Sequence, residues 1–479
     1  MGISVKQVGC LLRLLILVGL ASTAALAAET AKPPSVVLVV VDSLRPDYLG
    51  CYGFRGGISP AIDRLCSQAA VFDQAFAQAP WTKASVATLF TSLDPNVHGV
   101  LTHRGQFGGA PPQPGVERPD SDLLLDRYVT LAETLQEGGY ATAAFVGNPK
   151  LQSDFGFAQG FGAYRHFFSA NADASAILTA ARHWVEQLPA GQPFFVYLHL
   201  MDVHAPYAAP ESDYEAIRDS PSLGAERTLE PEQLSKDLLR ELREVDAHWA
   251  DPDRPERLQL RTWRGRYAAA VRALDTRLEI FFEFLHASGR DAGTTIVLTS
   301  DHGEELFEHG GWGHGTSLMD EQLRVPLIIR PAGGIAGGRR IDGLFNLIDF
   351  APTLAAMVSL KPAPTWKGRS YASLVTGKGK ATGQDAIFAD GVKWKPSLAS
   401  IRTRRFKLIR DRVSGQEQLF NLEADPAELR DGRARNGAIA SELRSGLESY
   451  FKQIQPAPPS PPPSAKPPKA NKKKASRHH

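Results

Sequence analysis

The run Ser35-Val36-Val37-Leu38-Val39-Val40-Val41 constrains the fold more than any other stretch of the chain. A strand with one face in water alternates apolar and polar residues. This one is apolar throughout after its first residue, which suits a central parallel strand covered on both faces. A second β-rich, largely apolar segment, Thr294-Thr295-Ile296-Val297-Leu298, reads as another buried strand. Strands and helices alternate around these two. The pattern predicts a helix over Leu131–Gly138 and a strand over Tyr140–Val146, then a helix over Ala174–Leu188 and a strand over Pro193–Leu200. A long amphipathic helix over Tyr267–Leu285 leads into the strand at Thr294. The expected fold is α/β, a mostly parallel doubly wound sheet flanked by helices, with a smaller C-terminal α+β subdomain.

The ends of the two strands carry the chemistry. The first stops at Asp42, and the second runs into Thr299-Ser300-Asp301-His302-Gly303-Glu304-Glu305, followed by Gly313-His314-Gly315. Open α/β sheets set their sites at the carboxyl ends of strands. A carboxylate beside an imidazole suits a divalent metal, and the glycines let a loop fold tightly around it. Taken alone, an acid after an apolar strand is as well explained by a polar turn. Two such ends, Asp42 and Asp301-His302, favour convergence on one cation.

At 479 residues and 43% hydrophobic content, the chain can bury one large core or a large and a small one. A net charge of +2 gives the folded body no nucleic-acid signature. Lys6 and Arg13 precede the apolar run Leu14–Leu20, and Ala25-Leu26-Ala27 fits a cleavage site. Residues 1–27 therefore read as a signal peptide, with an uncleaved anchor as the alternative, and the protein as exported, periplasmic or secreted. The remaining cysteines, Cys51 and Cys66, either pair in an oxidising compartment or stay as two buried thiols. Residues 33–380 form the expected catalytic domain. Within it the highly charged stretch Glu211–Trp263 reads as a helical surface insertion that shapes substrate access. After about Ala381 a small antiparallel sheet and a terminal helix, Ala438–Phe451, form a subdomain over 381–455. The tail over 456–479 is rich in Pro and Lys and contains no acid, so it cannot pack a core. It is either a solvated terminus or a weak contact to an anionic envelope surface.

Several segments carry a family resemblance in a fixed order. They are VVLVVVDSLRPDYLGCYG (Val36–Gly53), WTKASVATLFTSLDPNVHG (Trp81–Gly99), LAETLQEGGYATAAFV (Leu131–Val146) and PFFVYLHLMDVHAPY (Pro193–Tyr207). Thr294–Pro326, NLIDFAPTL (Asn346–Leu354) and Lys407–Glu428 follow. From about residue 35 to 430 the chain resembles the sulfatase family of the alkaline phosphatase superfamily, which implies an alkaline phosphatase-like fold and ester hydrolysis. The family's nucleophile arises from a Cys or Ser, oxidised to formylglycine within a Cys/Ser-x-Pro-x-Arg motif. Here Thr82 stands at that position, followed by Lys83, Ala84, Ser85 and Val86, without the Pro or the Arg. Related superfamily members, among them lipoteichoic acid synthases, phosphoethanolamine transferases and nucleotide phosphodiesterases, use a metal-activated threonine against phosphorus. Thr82 is expected just before a helix over Ser85–Leu93, whose free N–H groups suit an oxyanion. The alternative is that Thr82 merely caps that helix.

The resemblance implies the remaining roles. Asp42, Thr82, Asp301 and His302 would hold one divalent metal ion, Mn or Zn favoured, with Ca or Mg open. His204 would contact substrate, and His314 would protonate the leaving oxygen. Asn148, Lys150 and Lys83 are candidate substrate-binding residues, while His98 and His309 read as structural or supporting. Two-metal relatives carry an Asp-x-x-x-His pair. The spacing of Asp202-x-His204 departs from it, so cationic side chains, His204 and His314 with Lys83 or Lys150, are expected in place of a second metal. The expected function is metal-dependent hydrolysis of phosphate or sulfate esters through Thr82 and a covalent intermediate, phosphoesters slightly preferred. The alternatives are a sulfatase proper, a phospho-group transferase to an envelope glycan or lipid, and a silent anionic-glycan-binding protein. The partner in each case is an anionic ester, small molecule, glycan or lipid head group.

Overall fold

The computed structural model describes residues 32–101, 122–168, 173–230, 250–251, 254–379 and 383–454. The expected signal peptide at 1–27, the tail from 456 and the middle of the charged insertion lie outside the described residues.

Nine strands form the main sheet: β1 (Ser35–Val41), β2 (Ala70–Phe76), β3 (Ala141–Val146), β4 (Ala163–His166), β5 (Phe194–Leu200), β6 (Thr294–Thr299), β7 (Arg324–Val325), β8 (Leu327–Arg330) and β9 (Arg339–Asn346). Their order is β7-β2-β8-β6-β1-β5-β3-β4, with β9 also pairing β2. β1 runs parallel to both neighbours, β5 and β6, and β3 runs parallel to β4 and β5. β7 and β8 run antiparallel to the strands they meet. The sheet is mixed and mostly parallel, as expected.

β1 is buried from Val36 to Val41. Its alternate side chains feed two cores. Val37, Val39 and Val41 pack with residues of α1 (Pro60–Cys66), α4 (Ala174–Glu186) and α5 (Leu260–Ala287). Val36, Leu38 and Val40 pack on the other face with α2 (Thr82–Thr91), α3 (Leu131–Glu137) and α6 (Phe350–Met357). Burying each valine side chain contributes roughly 1.5–3 kcal/mol. α3 begins on a capping box, with Thr130 and Glu133 each accepting from the other's backbone N–H.

Some expected elements differ. α5 begins at Leu260, earlier than Tyr267, because buried Leu260, Trp263 and Arg266 already continue its inward face. The insertion is only partly helical where described. It holds a short helix, Glu211–Glu215, and a three-stranded antiparallel sheet of Thr228–Leu229, Ala250–Asp251 and Arg254–Gln259. Pro255, which lacks an N–H, opposes a helix interior there.

The C-terminal part forms a separate four-stranded antiparallel sheet, in the order β10 (Ile387–Ala389), β11 (Leu398–Arg402), β12 (Phe406–Asp411), β13 (Glu417–Asn421). α7 (Gly437–Gln453) lays Ala440, Leu443 and Leu447 against Ala399, Ile401, Leu408 and Leu419. Among the described residues, no helix is long and apolar enough to cross a membrane.

Cys51 and Cys66 form a disulfide with Cα atoms 6.5 Å apart, joining the turn Gly50–Tyr52 to the end of α1. The other end of α1 is held by Asp275 of α5, whose carboxylate oxygens accept from Ala61 N and Ile62 N, each at 2.9 Å. Closing a loop of this size stabilises a fold by about 3 kcal/mol. Replacing Cys51 and Cys66 by Ser should lower the urea-derived unfolding free energy by about that amount, and an unchanged midpoint would contradict the role. Burial pushes the Asp275 carboxyl up to about 6, although the two N–H donors pull it down. The folded state then retains a proton that the unfolded chain has released, so this contribution is present below the unfolded pKa and fades as pH rises through about 6. Thermal melts of Asp275→Asn should therefore show a smaller loss of Tm between about pH 4 and 6 than wild type. Parallel profiles would refute the assignment.

Candidate active site

Register brings the acids together. Val40 pairs with Thr299 across β1 and β6, so Asp42 and Asp301 leave the sheet side by side. Ser300 ties the two exits, donating from Oγ to Val41 O at 2.6 Å and accepting from Leu44 N at 3.0 Å. Ser43 adopts a left-handed φ of 64°, unusual for a residue with a Cβ. In that conformation its Oγ donates to Asp42 Oδ1 at 3.1 Å, and its carbonyl accepts from Tyr267 OH at 2.7 Å. Arg45 then pins the following loop, donating from Nη1 to Glu304 O and Glu308 Oε1, both at 2.8 Å.

Asp42, Asp301 and His302 are fully buried, and their candidate ligand atoms lie within 4.8 Å of one another. Among the described residues they form the one such group of three. His302 Nε2 is 3.5 Å from Asp42 Oδ1 and 3.4 Å from Asp301 Oδ2. His302 Nδ1 donates to Gly303 O at 2.8 Å, which leaves the Nε2 lone pair toward the carboxylates. Burial would raise Asp42, but the hydrogen bond to His199 and the nearby His204 and His302 rings hold it well below the usual carboxylate range. Asp301 is pushed up, first by burial and then by the charge of Asp42. Asp301 Oδ2 has no hydrogen-bond partner. Two adjacent buried carboxylates, one with an orphaned oxygen, beside an imidazole lone pair fit a divalent cation.

Thr82 opens α2 instead of preceding it. The helix spans Thr82–Thr91, not Ser85–Leu93, and Trp81 occupies the cap position. Thr82 Oγ1 points into the cluster, 3.4 Å from Asp42 Oδ2 and 3.4 Å from His302 Nε2. Cap geometry alone does not describe it. α2 is fixed against β6 by Ser85 Oγ, which donates to Asp301 O. Asn148 Nδ2 donates to Asp42 Oδ2 at 2.6 Å and to Thr82 Oγ1 at 3.3 Å. Asn148 Oδ1 accepts from Lys150 N at 2.7 Å.

The imidazoles His204, His314 and His302 form a row, with ring centroids 5.1 Å apart for the first two and 4.2 Å for the last two. Burial lowers His204, but Asp42 and Glu304 more than offset this, and the net shift is upward. His314 is lowered by burial and by His302, with Glu304 opposing. Glu304 Oε2 lies 3.3 Å from His314 Nδ1.

Other residues weighed from the sequence fall outside this row. Lys83 is wholly buried and ion-paired to Asp122, with Nζ 3.4 Å from the centre of the Phe155 ring. Asp202 accepts from Ala174 N at 3.0 Å and pairs with Arg277 at 3.1 Å, which commits it to the start of α4. His98 lies 3.1 Å from Thr88 Oγ1, and His309 is 3.5 Å from Glu321. Sequence reasoning missed Glu304 and His199. His199 Nε2 is 3.1 Å from Asp42 Oδ2, and Tyr197 OH bonds its Nδ1 at 2.7 Å. The available signal was an imidazole inside an otherwise apolar strand.

A family profile described as Sulfatase matches residues 34–360, and one described as N-sulphoglucosamine sulphohydrolase, C-terminal, matches residues 308–453. The N-acetylglucosamine-6-O-sulfatase of Bacteroides thetaiotaomicron is 24% identical over 91% of this chain and 89% of its own length. The choline-sulfatase of Rhizobium meliloti is 30% identical over 50% of this chain and 46% of its own length. Among solved structures, the phosphonate monoester hydrolase of Agrobacterium radiobacter superposes with a TM-score of 0.68 at 22% identity, covering 88% of this chain and 96% of that one. A profile spanning most of the chain, on a fold and a buried acid–imidazole cluster of this kind, makes the protein a member of the sulfatase family of the alkaline phosphatase superfamily, a family of ester hydrolases.

Proposed function

We propose that the protein hydrolyses a phosphate or sulfate ester by attack of the Thr82 hydroxyl, with phosphoesters slightly preferred. The observation that supports this is Thr82 Oγ1 itself, 3.4 Å from both Asp42 Oδ2 and His302 Nε2. Asp42, Asp301, His302 and Thr82 would hold one divalent cation, Mn or Zn in preference to Ca or Mg. When bound, such a cation acidifies a hydroxyl and neutralises charge on the ester oxygens. Threonine has a methyl group on Cβ and cannot become the formylglycine aldehyde, which favours phosphorus over the aldehyde-hydrate route to sulfate release.

The chain's own groups account for the proton movements. Thr82 hydrogen-bonds Asp42 Oδ2, which gives its proton an acceptor as the oxygen bonds to phosphorus. The ester oxygen departs with its electron pair and takes a proton from the His314 ring. Glu304 holds the opposite nitrogen and opposes the downward pull of burial and His302 on the ring, so that His314 can give this proton and later take one back. Asn148, His204 and Lys150 stabilise the nonbridging oxygens, together with the free N–H groups of the first turn of α2. Water then attacks the phosphorus of the Thr82 ester and gives its proton to His314, while the Thr82 oxygen leaves with the bond pair and takes its proton back from Asp42. The Cys51–Cys66 bond supports an oxidising compartment and, with the leader expected at 1–27, an exported protein, periplasmic or secreted.

With aryl phosphodiester, phosphomonoester, phosphonate and sulfate substrates and added Mn²⁺ or Zn²⁺, Thr82→Ala should lose about 1,000-fold or more of wild-type turnover while its Tm holds. Acid-quenched wild type should yield a peptide modified at Thr82 by mass spectrometry. Turnover by Thr82→Ala at the wild-type rate, or modification of another residue, would sink the mechanism. Metal at about 100 times its Kd should stabilise wild type by about 2.7 kcal/mol in thermal melts. Asp301→Asn should lose most of that gain, and an equal gain in both would exclude Asp301 as a ligand.

A further inference from the structure

His314 reaches the reaction centre from a hairpin. Glu305–Leu306 and Trp312–Gly313 pair antiparallel with Glu305 opposite Gly313, so Glu304 and His314 leave the same end of the ladder. That pairing accounts for the 3.3 Å contact between Glu304 Oε2 and His314 Nδ1. It does not fix the chain beyond His314, which is flanked by Gly313 and Gly315 at left-handed φ values of 79° and 77°. The direction of the ring therefore depends on what holds the segment after it. Gln322 does so from a fully buried position. Its Oε1 accepts from Thr316 N at 3.1 Å and Ser317 N at 3.2 Å, and its Nε2 donates to Thr316 Oγ1 at 2.8 Å and Glu305 Oε2 at 3.1 Å. These bonds use the whole capacity of a side-chain amide. The Gln322 carbonyl also accepts from Gly303 N at 3.0 Å. One residue thus ties the neighbour of His302, the neighbour of Glu304 and the chain just past His314.

The short helix that carries Gln322, Asp320–Leu323, is gripped from the C-terminal subdomain. The Asp320 carboxylate accepts from Arg402 Nη1 of β11 at 2.7 Å and from Lys407 Nζ of β12 at 2.8 Å. Asp320 N donates to Glu428 Oε2 at 2.7 Å. Lys407 and Glu428 are both buried and pair with each other at 2.8 Å. Hydrogen bonds between charged groups at these lengths are the stronger kind, so the helix has a firm footing on the small sheet.

We propose that Gln322 is a positioning residue for His314, which transmits the grip of the C-terminal sheet to the ring that protonates the leaving oxygen. This rests on the reading of His314 as the proton donor. An apolar side chain of equal length fills the same space but leaves Thr316 N, Ser317 N and Glu305 Oε2 without this partner. Buried polar groups in that condition are costly, and the loop relaxes to satisfy them elsewhere. The His314 ring then loses its alignment with the departing oxygen. With its amide fully engaged, the Gln322 side chain makes no hydrogen bond to Asp42, Thr82 or Asp301, so attack by Thr82 is left as it was.

The test compares full-length wild type, Gln322→Met and His314→Ala, each with Mn²⁺, on phenyl and 2,4-dinitrophenyl phosphate esters. Methionine matches glutamine in length but lacks its polar atoms. The quantity read is kcat/KM, which covers the steps through departure of the leaving group. Dinitrophenolate leaves without a proton, so Gln322→Met should change kcat/KM for that ester less than about threefold, while the phenyl ester should lose about 100-fold. His314→Ala should show the same contrast, and the double variant no further loss. Hydrogen exchange read by mass spectrometry needs no turnover. Amides over 312–318 should exchange about tenfold or more faster in Gln322→Met, with those of β1 and β6 unchanged. Circular dichroism melts check folding, and Gln322→Asn, too short to reach all these partners, replaces Met with the same expectation if Met does not fold. Unchanged exchange over 312–318, or equal losses on the two esters, overturns the proposal. No turnover of either ester by wild type, or no contrast in His314→Ala, overturns the proton-donor reading instead. Faster loop exchange in Gln322→Met alongside that result shows that the reading failed and not the brace.

Discussion

Parallel pairing of β6, β1 and β5 is the constraint on which the site depends. Three adjacent strands running one way deliver their carboxyl ends to one edge, and each end contributes a polar group to the same few ångströms. Asp42 follows β1, Asp301 and His302 follow β6, and His199 sits near the end of β5. A shift of two residues in either pairing would move an acid by about 6.6 Å and separate the cluster. The register is held by apolar side chains buried on both faces of β1, so core packing sets ligand spacing.

The cost of gathering unlike groups in a dry place is offset by a layer of hydrogen bonds behind them. Ser300 joins two strand exits, and Tyr267 of α5 reaches through to the backbone of Ser43 and Arg45. Gly303 allows the loop to pass against the short helix Asp320–Leu323 where nothing larger fits, since a Cβ there would clash with Glu321 O. Tyr197, His199 and Asp42 make a continuous hydrogen-bonded chain that orients one carboxylate from behind. These contacts pre-organise the cluster, and a carboxylate with no freedom to rotate loses little on meeting a cation.

Much of this was legible in the sequence because it is written locally. Unbroken β-branched runs ending in acids announce buried parallel strands and their functional edge, and Asp42, Asp301 and His302 could be read from that alone. Thr82 and Asn148 needed the ordered motif resemblance, since a Thr or Asn near a helix start is ordinarily a cap. What stayed hidden was tertiary. Lys83 looks like a substrate contact from its place beside Thr82, but one step along a helix turns a side chain by about 100°, and here that step leads to Asp122. Asp202 has the same ambiguity, resolved by Arg277 from a helix far along the chain. The docking of Gly391–Trp394 carries no local signal at all, because it rests on two hydrogen bonds to residues remote in sequence, Trp81 Nε1 to Gly391 O and Trp394 N to Gly315 O.

Those two hydrogen bonds have a consequence for how the protein can change. Both terminate on main-chain atoms of Gly391–Trp394, one on a carbonyl and one on an amide, so docking of the segment is indifferent to the side chains at positions 393 and 394. The small C-terminal sheet thus presents a replaceable fingertip to a fixed reaction centre. Exchange of that tip would leave the strand register that assembles the cluster untouched.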